Sequence, residues 1–142
     1  MHRTTGLAIV ITAALSSAAC EFTPITQTRI EGSIGPTFAN LVTLQMSWLG
    51  MPPMSTTDLG VNARCRRPSG QNAGSGEWTC SLLWQGPSGR ILRDSYELFV
   101  TTDGCYTATA SSEGIGPPTL KTDSGREVRN LLYAFEGCFD TT

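Results

Sequence analysis

Five cysteines in 142 residues set the tightest limit on this chain, because an odd number cannot all pair within one molecule. Cys65, Cys80, Cys105 and Cys138 are spread through the body of the chain, while Cys20 stands apart behind a run of small residues. What precedes Cys20 accounts for the separation. His2 and Arg3 form a short basic start, Leu7 to Leu15 is apolar except for Thr12, and Ser16, Ser17, Ala18 and Ala19 follow. Residues 1–19 therefore have the layout of a secretory signal peptide, and the apolar run falls well short of the roughly 20 residues that a membrane-crossing helix needs. Export places the other cysteines in an oxidising space, where pairs become disulfides.

Ser17-Ala18-Ala19-Cys20 resembles the lipobox of bacterial lipoproteins, with Ser17 where that family usually carries leucine. The resemblance implies that Cys20 is acylated, becomes the first residue of the mature chain and anchors it to the extracytoplasmic face of the cell membrane. Ser17 and Ala19 also fit the small-x-small pattern of ordinary secretion, which stays open as the alternative. An acylated Cys20 leaves an even set of four cysteines, with three possible pairings.

Loss of residues 1–19 leaves 123 of the 142 residues, enough for one domain with a single core. It also removes Arg3, so nine basic side chains face twelve acidic ones, a balance of about −3 that offers nothing to nucleic acid. Residues 20–34, rich in Thr and without sustained periodicity, read as a tether, and residues 35–142 as one disulfide-stapled domain. Pro36 to Leu49 reads as a helix. Pro36 suits a first helical position, Phe38, Leu41, Val42, Gln45, Trp48 and Leu49 recur at helical spacing, and Gly50, Pro52 and Pro53 stop it.

Alternation marks strands at Val61 to Cys65, Trp78 to Gln85, Asp94 to Thr102 and Cys105 to Ala110. Arg66 to Gly76 reads as an exposed loop and Gly86-Pro87-Ser88-Gly89 as a turn. Asp103-Gly104 between two alternating runs predicts a hairpin closed by a type I′ turn. Val128 to Phe135 fits helical spacing and a short strand equally, and the strand is preferred because Cys138 has to reach the hairpin. Adjacent predicted strands favour a Cys65–Cys80 pair, which leaves Cys105 with Cys138 to bracket the C-terminal segment. The expected fold class is α+β: one N-terminal helix packed on a three to four stranded antiparallel sheet, with two disulfides.

The only histidine, His2, lies in the segment that is removed, so triads and dyads built on imidazole have no base in the mature chain. The four domain cysteines lack the close spacing of structural zinc ligands, and no metal or cofactor is expected. Lys121 and Ser124 stand in reverse order to the Ser-x-x-Lys motif of penicillin-binding proteins and read as a solvated loop. Glu77, Asp94 and Glu97 are the candidates for a carboxylate pair. Arg64, Arg66 and Arg67, joined by Arg90 and Arg93, are the candidates for an anion site at a sheet edge. Trp48, Trp78 and Trp84 are the candidates for a ligand platform, though their apolar phase marks them as core first.

The stretches around Cys80, Cys105 and Cys138 (Glu77-Trp78-Thr79-Cys80, Asp103-Gly104-Cys105-Tyr106-Thr107-Ala108 and Glu136-Gly137-Cys138-Phe139) are similar to small bacterial lipoproteins of unassigned function built as a helix followed by a stapled sheet. That similarity implies a fold and no activity. The expectation is a non-enzymatic cell-envelope lipoprotein, a binding or interaction module that meets an envelope or extracellular protein through the outer sheet face or the loops Arg66 to Gly76 and Ser111 to Asp123. The alternatives are an inhibitor of an extracellular enzyme and a carboxylate-based hydrolase.

Overall fold

The computed structural model describes residues 24–111 and 113–140, so the expected signal segment over residues 1–19, Cys20 and the beginning of the expected tether lie outside the described residues. Its long helix, α1, spans Gln27–Trp48 and begins well before Pro36. Thr26 is the N-cap, its hydroxyl accepting from the Arg29 N–H. Ile30 and Ile34 then extend backwards the buried stripe of Phe38, Val42 and Met46 at four-residue spacing. Residues 27–34 therefore belong to the domain, a correction to the tether expected over 20–34. Pro36 sits in the helix interior, where it denies a donor to the Gly32 carbonyl. Both residues face solvent, so water meets that carbonyl, and the buried face compensates for the lost bond.

Leu49 caps the helix and Gly50 turns left-handed after it, where the Gly50, Pro52 and Pro53 signal predicts the stop. A single helical turn, α2 (Thr56–Leu59), follows behind its Ser55 cap. Strands β1 (Asn62–Arg66), β2 (Gly76–Gln85), β3 (Ile91–Val100) and β4 (Cys105–Ala110) come next. After a short 3-10 turn, Glu113–Ile115, the chain forms β5 (Thr119–Lys121), β6 (Glu127–Arg129) and β7 (Ala134–Cys138). Five antiparallel strands in the order β1-β2-β3-β4-β7 make the main sheet, and β5 pairs with β6 alone. The class is α+β with one main helix on an antiparallel sheet. The strand count exceeds the three to four expected because β5 and β6 have three residues each, too short for alternation to register, and β7 has five of mixed character.

Alternation sorts the main sheet cleanly. Trp78, Leu98, Ala108 and Phe135 form one cross-sheet row on the face that meets α1, and Cys80 and Tyr96 lie in the next. Phe38 sits at the centre of this face, with its ring 4.8 Å from that of Trp84, 5.8 Å from Tyr96 and 6.4 Å from Phe135. Tyr106 reaches across Gly137 to the hydroxyls of Ser33 and Thr37 on the helix. A Cβ on Gly137 would stand 2.3 Å from the Tyr106 oxygen, so only glycine fits beneath that ring.

The β3–β4 turn is not type I′. Among the described residues no non-glycine has positive φ, so Asp103 cannot supply the conformation that turn demands. Instead Gly104 N–H donates to the Thr101 carbonyl and Gly104 alone is left-handed, a type I turn closed by a one-residue bulge. Gly89 closes β2–β3 and Gly125 closes β5–β6 with the same hydrogen bond, three residues after Gly86 and Thr122 respectively.

Two disulfides, Cys65–Cys80 and Cys105–Cys138, each join residues directly opposite one another. Both fasten an edge strand to its inner neighbour, β1 to β2 on the helix-facing side and β7 to β4 on the outer side. The edge of β1 is further occupied by Glu31 of α1, whose carboxylate accepts from the Cys65 N–H at 2.8 Å and lies 3.8 Å from Arg64.

Loop closure assigns roughly 3 kcal/mol to the first bridge and roughly 4 kcal/mol to the second. The double variant Cys105→Ala/Cys138→Ala is thus expected to lose about 4 kcal/mol in urea titration, with β7 the first segment to exchange its amide protons. Burial, assisted by the neighbouring Asp94 charge, raises the Tyr96 phenol far above its ordinary value. The unfolded phenol ionises at roughly pH 10 whereas the folded one holds its proton, so stability is full below that pH and falls as pH rises past it. In thermal melts between pH 8 and 11, Tyr96→Phe is expected to start lower and show the flatter decline.

Candidate functional site

The residues singled out for chemistry are dispersed by the fold. Glu77 and Glu97 are diagonal neighbours on the outer face of β2 and β3, both exposed, but Asp94 is buried on the opposite face, its carboxylate accepting from the Ser95 N–H. Arg64 and Arg66 lie along the outer face of β1 and Arg93 on β3, while Arg90 is in the turn. Arg67 leaves the group altogether. Its guanidinium turns inward to donate to the carbonyls of Ala73 at 2.6 Å and Ser75 at 2.8 Å, and lies 5.7 Å from the centre of the Trp78 ring. It is the strut of the Arg66 to Gly76 loop rather than part of an anion site.

That loop stands on the Cys65–Cys80 bridge and is tied to the start of α1 by Gln27 N–H on the Asn72 carbonyl and Gly74 N–H on Ile25. The tryptophans also separate. Trp78 is fully buried with its indole N–H on the Gly74 carbonyl, Trp84 packs on Phe38, and Trp48 is 39% exposed near the end of α1. Lys121 ends β5, and Ser124 shares a hydrogen bond with Thr122 in the β5–β6 turn, an exposed hairpin tip.

Two of the concave features on the described surface combine apolar wall with polar groups that the fold leaves available. The outer sheet face carries an open groove of about 520 Å³ bordered by Glu77, Thr79, Glu97, Phe99, Thr107 and Thr109. Phe99 is 57% exposed there, a large apolar ring among carboxylates and hydroxyls.

The second is an apolar cavity of about 180 Å³ where the end of α1 meets the β2–β3 turn and the β5–β6 hairpin. Met46, Met51, Trp84 and Leu132 supply apolar wall, and Gln45 and Asn130 are its two polar residues. Three buried side chains hold the backbone turn that closes one side. Gln45 Oε1 accepts from Leu131 N–H at 2.6 Å, Tyr96 donates its hydroxyl proton to the Leu132 carbonyl at 2.7 Å, and Asn130 donates to the carbonyls of Ile115 and Pro117 while accepting from Leu132 N–H. Both side-chain N–H groups of Asn130 are thereby used. Those of Gln45 are not: its Nε2 is buried and has no hydrogen-bond partner.

No family model, no curated protein and no solved structure matches the chain. Among the described residues no group of three or more histidine, cysteine or acidic side chains is placed to hold a metal ion, and no helix is long and apolar enough to cross a membrane. The sequence points to Glu77, Glu97 and the outer face, but gives no sign of Gln45 and Asn130 as a pair, 85 positions apart in the chain. A glutamine inside an apolar helical stripe was the available signal.

Arg67→Ala removes two charge-assisted hydrogen bonds and is expected to lower stability by about 2 kcal/mol. Arg67→Lys, which cannot fork between both carbonyls, is expected to recover less than half of that. Amide exchange of residues 71–76 measures the effect directly, and should rise in both variants while the β3–β4 hairpin is unchanged.

Proposed function

We propose that this chain is a non-enzymatic cell-envelope lipoprotein, held to the extracytoplasmic face of a membrane through acylated Cys20, whose domain binds an envelope or extracellular protein. The disulfides belong to an oxidising, extracytoplasmic environment, and the export signal read from residues 1–19 agrees with them. The observation that carries the binding role is the outer sheet face. No described element packs on it, and it presents Phe99 above an open groove whose border alternates glutamate and threonine. An exposed ring with hydroxyls and charges around it has the make-up of a recognition surface, apolar at the centre and polar at the rim.

A second reading, an inhibitor of an extracellular enzyme, draws support from the Arg66 to Gly76 loop. Its exposed residues 69–72 stand on a disulfide at one end and an arginine strut within, the kind of preorganisation that makes a rigid loop bind well.

Growth with a radioactive fatty acid tests the anchor. The wild-type chain is expected to carry label and sediment with membranes, and Cys20→Ala to be unlabelled; equal labelling of both would overturn the reading. Phe99→Lys tests the surface, because an exposed substitution should change stability by no more than about 0.5 kcal/mol. Cross-linking in whole cells is expected to capture an envelope protein with the wild-type chain and to lose it with Phe99→Lys. Retention with Phe99→Lys but loss on shortening residues 69–72 would favour the inhibitor.

A further inference from the structure

From the unpartnered Gln45 amide at the apolar cavity, we infer a small-molecule site: it takes a neutral, one-ring-sized apolar compound bearing a single hydrogen-bond acceptor, such as a carbonyl oxygen. The inference deepens the binding-module reading and rests on it for the role of the site.

The amide orientation is fixed by its partner. Leu131 N–H can only donate, so the carboxamide oxygen must face it, and the nitrogen with its two protons is directed elsewhere. Gln45 is 4% exposed, so that nitrogen has given up water without gaining an acceptor, a cost of about 1 to 3 kcal/mol that an incoming acceptor recovers. Asn130 does not compete for the same ligand atom, since its amide donates to two carbonyls and its oxygen accepts from Leu132.

Size and charge narrow the class. A volume of about 180 Å³ is close to the roughly 150 Å³ that holds a single benzene ring in an engineered apolar cavity. No charged side chain borders the cavity, so a carboxylate or ammonium would be desolvated without a counter-charge and is excluded on energy. Met46 and Met51 give the wall flexible thioethers that adapt to ring edges, and Trp84 gives it an aromatic surface. Met51 is 40% exposed, which makes it part of the mouth rather than the floor.

Two-dimensional amide NMR of the full oxidised chain, titrated with acetophenone, ethylbenzene and benzoate, tests this. Acetophenone is expected to saturate and to shift the Gln45 side-chain amide resonances together with Met51 and Leu132. Ethylbenzene, which lacks the acceptor, should bind about 3- to 10-fold more weakly and leave the Gln45 amide signal nearly in place, and benzoate should not bind. Gln45→Glu keeps an acceptor for Leu131 N–H and removes the donor, so it should lose the preference for acetophenone. Should Gln45→Glu fail to fold, Met51→Trp, at an exposed position, narrows the mouth and is expected to weaken both neutral probes at least 5-fold. No saturable binding by acetophenone, equal binding of acetophenone and ethylbenzene, or shifts mapping only to the outer sheet face would overturn the assignment. None of those results bears on Cys20 labelling or Phe99 cross-linking, so the two readings fail separately.

Discussion

The packing of Phe38 against the sheet is the contact on which the rest of this structure depends. Its ring meets Trp84 of β2, Tyr96 of β3 and Phe135 of β7, so one side chain of α1 touches three of the five strands. The edge-on contacts with Trp84 and Tyr96 contribute about 0.5 to 1.5 kcal/mol each beyond the area they bury. Their greater effect is to fix where the helix lies. With Phe38 seated, Ile34 and Val42 flank it along the same stripe, and Gln45 arrives opposite the turn before β7.

The strands at the two edges of the sheet would otherwise be its weakest members. Each is covalently fastened to its neighbour, and the β1 edge is capped by Glu31 from the helix, so the helix, the sheet and the disulfides secure the same margin. The end of the domain beside the last turn of α1 is held differently. There the chain from Asn130 to Leu132 carries backbone groups that no strand or helix pairs, and Gln45, Tyr96 and Asn130 serve them from inside the core. Buried polar side chains in such a position specify one arrangement of a loop because every alternative leaves a donor or acceptor unmet. Gln45 is the member with something left over, its Nε2 being buried without a partner.

Much of the sheet was legible from the chain. Trp78 to Gln85 and Tyr96 to Val100 alternate strictly, and that alternation places Cys65 and Cys80 on one face before any coordinate is known. Gly50 and two prolines mark where α1 stops. Its start was not legible, because Gly32, Gly35 and Pro36 are poor helix residues and hide the spacing of Ile30, Ile34 and Phe38; the helix forms there since the stripe is buried, and burial outweighs propensity. Asp103-Gly104 announced a hairpin correctly and its turn type wrongly: a glycine three residues after the turn begins serves a bulged type I turn as well, and the recurrence of that glycine at Gly89 and Gly125 is visible only once the pairing is known. Arg67 looks like any exposed arginine in sequence, and only its carbonyl partners distinguish it from Arg64 and Arg66.

The sequence by itself pointed to an oxidising environment and to the α+β class and favoured one pairing of four cysteines, because each rests on local chemistry: cysteines spread through one small domain, a period of two, and a cysteine on each of two neighbouring strands. Only the tertiary structure decided which polar groups are used up and which are left. Gln45 and Leu131 are separated by 86 positions, and nothing local to either tells that one will satisfy the other with its oxygen and keep its nitrogen in reserve. Hydrogen-bond completion is a property of the packed interior, where water is absent and every donor must find its acceptor across the fold.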